Sequence, residues 1–101
     1  MLRQTGRFET RHASKYLQQL CKHFAHKVEV NHDSSAGQVA FPFGPAHLRA
    51  TEQALVAEIS GADDAALSRG RGVIDSHLKT FAFREDFETM TWSDRDNGQG
   101  S

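Results

Sequence analysis

The sequence predicts an α+β fold: a mainly antiparallel sheet with two helices packed on one face, in the order β-α-β-β-β-β-α-β. Three observations predict it. Two segments each carry a single apolar stripe at helical spacing. The stretch between them alternates apolar and polar residues, interrupted by short turn-forming runs. Two helices with one stripe each can cover only one face of such a sheet, so the other face is left bare.

The elements follow in order. RFET (7–10) alternates as a short strand does, with Phe8 and Thr10 on one face. Ser14 is placed to cap a helix beginning at Lys15. Within that helix Leu17, Leu20, Cys21 and Phe24 fall at i, i+3, i+4 and i+7, and the stripe ends near Ala25. VEV (28–30) reads as a second strand, and NHDSSAG (31–37) as a polar loop. In QVAFPFG (38–44), Val39, Phe41 and Phe43 alternate with Gln38, Ala40 and Pro42, and Pro42 favours an edge or a bulge. Gly44-Pro45 turns the chain into AHLRA, with Leu48 inward and His47 and Arg49 outward. ALVAEIS (54–60) completes an antiparallel meander.

GADD (61–64) opens the second helix, its acidic pair suiting the positive end of the helix dipole. Leu67, Gly70, Ile74, Leu78 and Phe81 form its inward stripe, with Gly70 allowing close approach to the sheet. Gly72 lies opposite, and the two glycines predict a kink. Arg71 and Asp75, at i and i+4, predict an exposed ion pair. FETMTW (87–92) reads as the last strand. Residues 1–94 are expected to form one domain, and 95–101 a disordered tail.

Composition narrows the function. A chain of 101 residues can bury about 65% of its unfolded surface, enough for a core without metal or bridges. The 12 Lys and Arg nearly balance 13 Asp and Glu, which argues against a dedicated nucleic-acid binder. Cys21 is the only cysteine, so neither an internal disulfide nor a multi-cysteine zinc site can form. The first residues, MLRQTGRFET, contain no apolar signal core, and no run approaches the length of a membrane span. The cytoplasm is the expected compartment.

Candidate sites are few. LCKHFAHK (20–27) gathers a cysteine and two histidines, but Cys21 and His23 stand ~160° apart on a helix and cannot clasp one ion. Cys21 belongs to the apolar stripe and reads as a buried hydrophobe. His23 and His26, ~60° apart, read first as cations offsetting the negative end of the helix dipole, with raised pKa values. The alternative is a metal site using His23, His26 and His77, with histidines or acids elsewhere completing it. HExxH, CxxC and P-loop patterns are all absent, and no nucleophile sits on a sharp turn. No catalytic residue and no cofactor are therefore assigned. The bare face is expected to carry Arg7, Glu9, Arg11, His47, Arg49 and Glu58, with Ala40 and Val56. Of these, Arg7, Arg11, His47 and Arg49 are the candidate binding residues. FPFG (41–44) with Trp92 is the best aromatic recognition feature.

Tyr16, Leu17, Leu20, Cys21, His23, Phe24, His26 and Lys27, then FPFG (41–44), Leu48, HLKTFAFRE (77–85) and Trp92, together resemble a small bacterial family catalogued as domain of unknown function 2218. The resemblance spans about residues 6 to 94. It implies a stand-alone protein related to domains that in some bacteria are joined to siderophore-interacting flavin reductases. It thereby implies a link to iron release from siderophores, as an accessory or binding module. That family has no assigned catalytic residues to carry over. The partners it suggests are such a reductase or a ferric siderophore; a second copy of the chain is a further expected partner.

Overall fold

The computed structural model describes residues 1–94. Six strands form one antiparallel sheet in the order β2-β3-β4-β5-β1-β6, with both helices on one face. The element order is the expected one, with a short 3-10 turn at Phe83–Glu85 before the last strand.

Strand β1 runs over Leu2–Glu9 and so begins earlier than the expected 7–10. It pairs along its whole length with β5 (Ala54–Gly61), from Leu2 opposite Gly61 to Glu9 opposite Ala54. Gln4 and Gly6 occupy the helix-side positions that apolar residues would normally mark, which hid this half of the strand. Trp92 lies over Gly6 so closely that a Cβ there would meet its ring at 2.7 Å.

Helix α1 spans Ala13–Phe24. The expected Ser14 cap does not form. His12 stands at the N-cap without a side-chain bond, and the Ser14 hydroxyl donates to the Ser34 carbonyl at 2.5 Å. Thr10 does the local work instead, its hydroxyl oxygen accepting from the His12 amide at 3.0 Å. The predicted stripe of Leu17, Leu20, Cys21 and Phe24 is buried in the core.

Strands β2 (Val30–His32) and β3 (Ala36–Val39) form a hairpin where a polar loop was expected. Asp33 makes the turn: its Oδ1 accepts from the amides of Ser35 at 2.8 Å and Ala36 at 2.9 Å. These bonds hold the carboxyl below its usual pKa. Gly37 lies directly under α1, where a Cβ would come within 2.6 Å of the Cys21 sulfur.

FPFG is a turn, not the continuation of a strand. The Gly44 amide donates to the Phe41 carbonyl at 3.1 Å, and Gly44 adopts φ +148 against the Ser60 carbonyl. Only glycine fits there, for want of both space and an L-compatible backbone. Strand β4 (Ala46–Ala50) then pairs with β5, and Thr51 closes the turn between them by accepting from the Ala54 amide at 3.0 Å.

Helix α2 spans Asp64–Phe81, capped by Asp63, whose Oδ1 accepts from the Ala66 amide at 2.9 Å. It is one uninterrupted helix through both glycines. Gly70 lies on Ile59, whose Cδ1 would be 3.2 Å from an added Cβ, whereas Gly72 has nothing within 4 Å. The Arg71–Asp75 ion pair expected from spacing does not form. Arg71 donates to Gln4 Oε1 at 2.5 Å, and Asp75 is used by the chain's return. Its carboxylate accepts from the Thr89 hydroxyl at 2.6 Å, the Met90 amide at 3.0 Å and Trp92 Nε1 at 2.9 Å. These bonds hold the 87–90 segment against α2, so β6 is only Thr91–Trp92 rather than the expected 87–92. Phe87 and Met90 still enter the core.

Helix α1 packs on β2 to β5 and α2 on β5 and β1, with the two helices touching. Leu17, Leu20, Val39, Leu48, Leu55, Ile59, Leu67, Ile74 and Leu78 fill the space beneath them. The tail expected over 95–101 lies outside the described residues.

Candidate functional site

The helix-free sheet face is built by strand alternation. With Ala46, Leu48, Ala57 and Ile59 buried under the helices, His47, Arg49, Val56 and Glu58 point the other way. Register sets their neighbours. Arg49 and Arg7 lie on either side of Val56, and His47 lies opposite Glu58, which pairs in turn with Thr5. A shallow concavity of about 450 Å³ is lined by Thr5, His47, Arg49, Val56 and Glu58, with Gln38 beside them, but not by Arg7. Arg7, His47 and Arg49 are exposed. Arg11 is not part of this face. It sits in the turn between β1 and α1, because the strand ends at Glu9. Ala40 likewise lies beyond β3.

A second feature lies on the helix side, where the end of α1, the middle of α2 and the FPFG turn meet. His23, Phe24, Lys27, Val28, Phe41, Pro42, Val73 and His77 line a cleft of about 330 Å³. The His23 and His77 rings stand 4.5 Å apart at 53°. Phe24 meets Phe41 edge-on at 5.0 Å and His77 at 5.1 Å, while Phe41 stacks on Phe43. His77 Nδ1 is 2.7 Å from the Val73 carbonyl of its own helix. A carbonyl only accepts, so Nδ1 carries the proton and Nε2 holds the lone pair of the neutral ring.

His23 does not behave as the helix-end cation expected from its position. Its pKa is lowered, first by desolvation, then by the positive charges of His77, Lys27 and His26. His26 falls in the turn after α1, exposed and outside the cleft lining. Of the three histidines in the metal alternative, the fold therefore brings together His23 and His77 only. Among the described residues, no three His, Cys, Asp or Glu side chains converge as metal ligands would.

Cys21 is fully buried, and burial pushes its thiol up to about 11, so it is a packing residue. Trp92 is held over Gly6 and bonded to Asp75, away from the cleft that Phe41 and Pro42 line. Sequence reading marked FPFG and the histidines separately. It missed Val28 and Val73 as parts of the same cleft, because no local pattern pairs positions on three different elements.

The sheet order, the two helices on one face and the bare opposite face define a two-layer α+β domain. The chain belongs to the bacterial family described as an uncharacterised protein conserved in bacteria, domain of unknown function 2218, matched over residues 5–93. Its structure is similar to the NMR structure of PA4090 from Pseudomonas aeruginosa, with a TM-score of 0.77 and 29% identity. That similarity covers 92% of this chain and 96% of the other. No curated protein matches the chain. No described helix is long and apolar enough to cross a membrane.

Proposed function

We propose that this domain is a non-enzymatic accessory module that docks a protein partner on its helix-free sheet face, in the setting of iron-siderophore utilisation. One observation carries the docking reading: Arg49 and Arg7 flank Val56 on an exposed sheet surface, with Glu58 in the neighbouring row. Guanidinium groups around an apolar centre suit a partner with carboxylates around an apolar patch. The partner class, a siderophore-interacting flavin reductase, comes from the family resemblance noted above.

The test uses a purified reductase of that class. Arg49→Glu should weaken its binding by about tenfold, with an unchanged thermal melt. Loss of a sedimenting dimer in the same variant would make the partner a second copy of the chain. Unchanged association together with an unchanged melt removes this face from the proposal.

A second reading, histidine-based metal binding, has the contact of the His23 and His77 rings in its favour. A metal would need one or two further donors there. Saturable histidine NMR shifts with micromolar zinc or ferrous iron would establish it; their absence would remove it.

A further inference from the structure

The cleft between α1, α2 and the FPFG turn has a composition that the docking face does not explain. Phe24, Val28, Phe41, Pro42 and Val73 make its wall apolar, and its remaining lining residues are His23, Lys27 and His77. Among the described residues, no carboxylate lines it. An apolar pocket with a few convergent polar groups of one sign selects for a ligand of the opposite sign with an apolar body. The volume of about 330 Å³ is at the lower end for ligand pockets, suited to one or two fused rings. The edge-on ring contacts of Phe24 with Phe41 and His77 frame a space that favours a flat ligand.

We propose that this cleft binds a small planar aromatic carboxylate, with its rings among Phe24, Phe41 and Val73 and its carboxylate toward Lys27 and His23. This is a site distinct from the sheet face and does not depend on it. Lys27 supplies a permanent cation. His77 has Nδ1 committed to the Val73 carbonyl, and the His23 ring lies 4.5 Å from its ring. Desolvation, and after it the charges of His77, Lys27 and His26, disfavour the protonated form of His23. An incoming carboxylate opposes that effect, so binding draws a proton onto His23 and strengthens as pH falls. The charged and titratable groups facing His23 are His77 from α2 and Lys27 and His26 from the turn after α1. The FPFG turn adds only Phe41 and Pro42.

The experiment titrates the full chain with 2-naphthoate and, as an uncharged analogue, 2-naphthalenemethanol, following amide NMR shifts. Naphthoate should bind saturably, with the largest shifts at Val28, Phe41 and Val73. It should bind about tenfold more tightly than the alcohol, the worth of one charge-assisted hydrogen bond. Lys27→Gln should remove most of that preference while leaving the melt unchanged, and Val73→Trp should block both compounds by filling the cleft. Absence of naphthoate binding, equal binding of the alcohol, or shifts centred on the sheet face would overturn the proposal. Arg49→Glu, which tests the docking reading, should leave naphthoate binding unaltered, so either idea can fail alone.

Discussion

Tyr16 and His23 sit two turns apart on α1, and each carries a polar ring atom at the edge of the core. They are treated in opposite ways. The Tyr16 hydroxyl donates to the Glu85 carboxylate, which also accepts from the Thr10 hydroxyl at 3.0 Å. Phe8 stacks on the phenol ring, itself only 5% exposed. Burial and Glu85 together push the Tyr16 pKa up to about 12. His23 meets His77, Phe24 and Phe81 instead, and its neighbouring charges are positive. At the first end a carboxylate completes the polar group and ties three segments together. At the second, rings and cations leave the polar atoms available. A partnered polar group acts as a strut, and an unpartnered one beside an apolar wall is where a ligand finds work.

That contrast can be broken by substitution. Asp75 is a strut of the same kind as Glu85, so Asp75→Ala should cost the most. It would leave the Met90 amide and Trp92 Nε1 without their acceptor, and a loss of about 2–4 kcal/mol is expected in urea denaturation. A loss below ~0.5 kcal/mol would mean that water replaces the carboxylate and that the strut is dispensable.

Tyr16→Phe should cost less, about 1–1.5 kcal/mol at neutral pH, since Glu85 keeps Thr10 and gains solvent. Its pH dependence gives the sharper comparison. Tyr16 and Cys21 both favour the protonated form in the fold, with pKa values raised to about 12 and about 11 from 10.0 and 9.0. The folded state therefore holds these protons where the unfolded chain releases them. Their contribution is full below the unfolded pKa values and is lost as pH rises through the folded ones. Stability should decline from about pH 9 upward, and Tyr16→Phe should flatten the part of that decline above pH 10. An identical alkaline profile in the variant would contradict the Glu85 linkage.

The smallest effect is expected at the cleft. His23 has a lowered folded pKa, so the fold binds its proton less well than the unfolded chain does. The neutral ring is compatible with full stability above the unfolded pKa, and stability is lost as pH falls through the folded one. His23→Gln should be nearly neutral at pH 8 and slightly stabilising at pH 5, opposite to what a helix-end cation would give. A destabilised variant at pH 5 would restore the dipole account.

How far the sequence could be read follows the same division. The stripes of Leu17, Leu20, Cys21 and Phe24, and of Leu67, Ile74 and Leu78, are repeats set by helical geometry, and they yielded both helices and the sheet face they cover. The outward register of His47 and Arg49 followed from Leu48 alone. What escaped was decided by contacts across the chain. The first half of β1 is masked by Gln4 and Gly6, whose positions make sense only beneath Arg71 and Trp92. The 31–37 segment looked like a loop because its strands are polar and its turn depends on one Asp33 carboxylate. Spacing paired Arg71 with Asp75, but Gln4 and the 89–92 segment offered each a better partner. The cleft was illegible because His23 and His77 meet through helix packing, which no local periodicity encodes.

The placement of β1 between β5 and β6 has a consequence in time. Strands β2 to β5 follow one another through tight turns, so each ladder of that meander closes a short loop. Strand β1 must instead find β5 across all of α1 and the meander, and its pairing with β6, extended just past that strand by Ser93 N to the Thr5 carbonyl at 2.8 Å, waits for α2 as well. Long closures cost more chain entropy and reward it later. The meander with α1 should gather first, and β1 should dock as the sheet's last large step. In pulse-labelling hydrogen exchange, amides of β4 would gain protection ahead of those in β1, although β1 leads the chain.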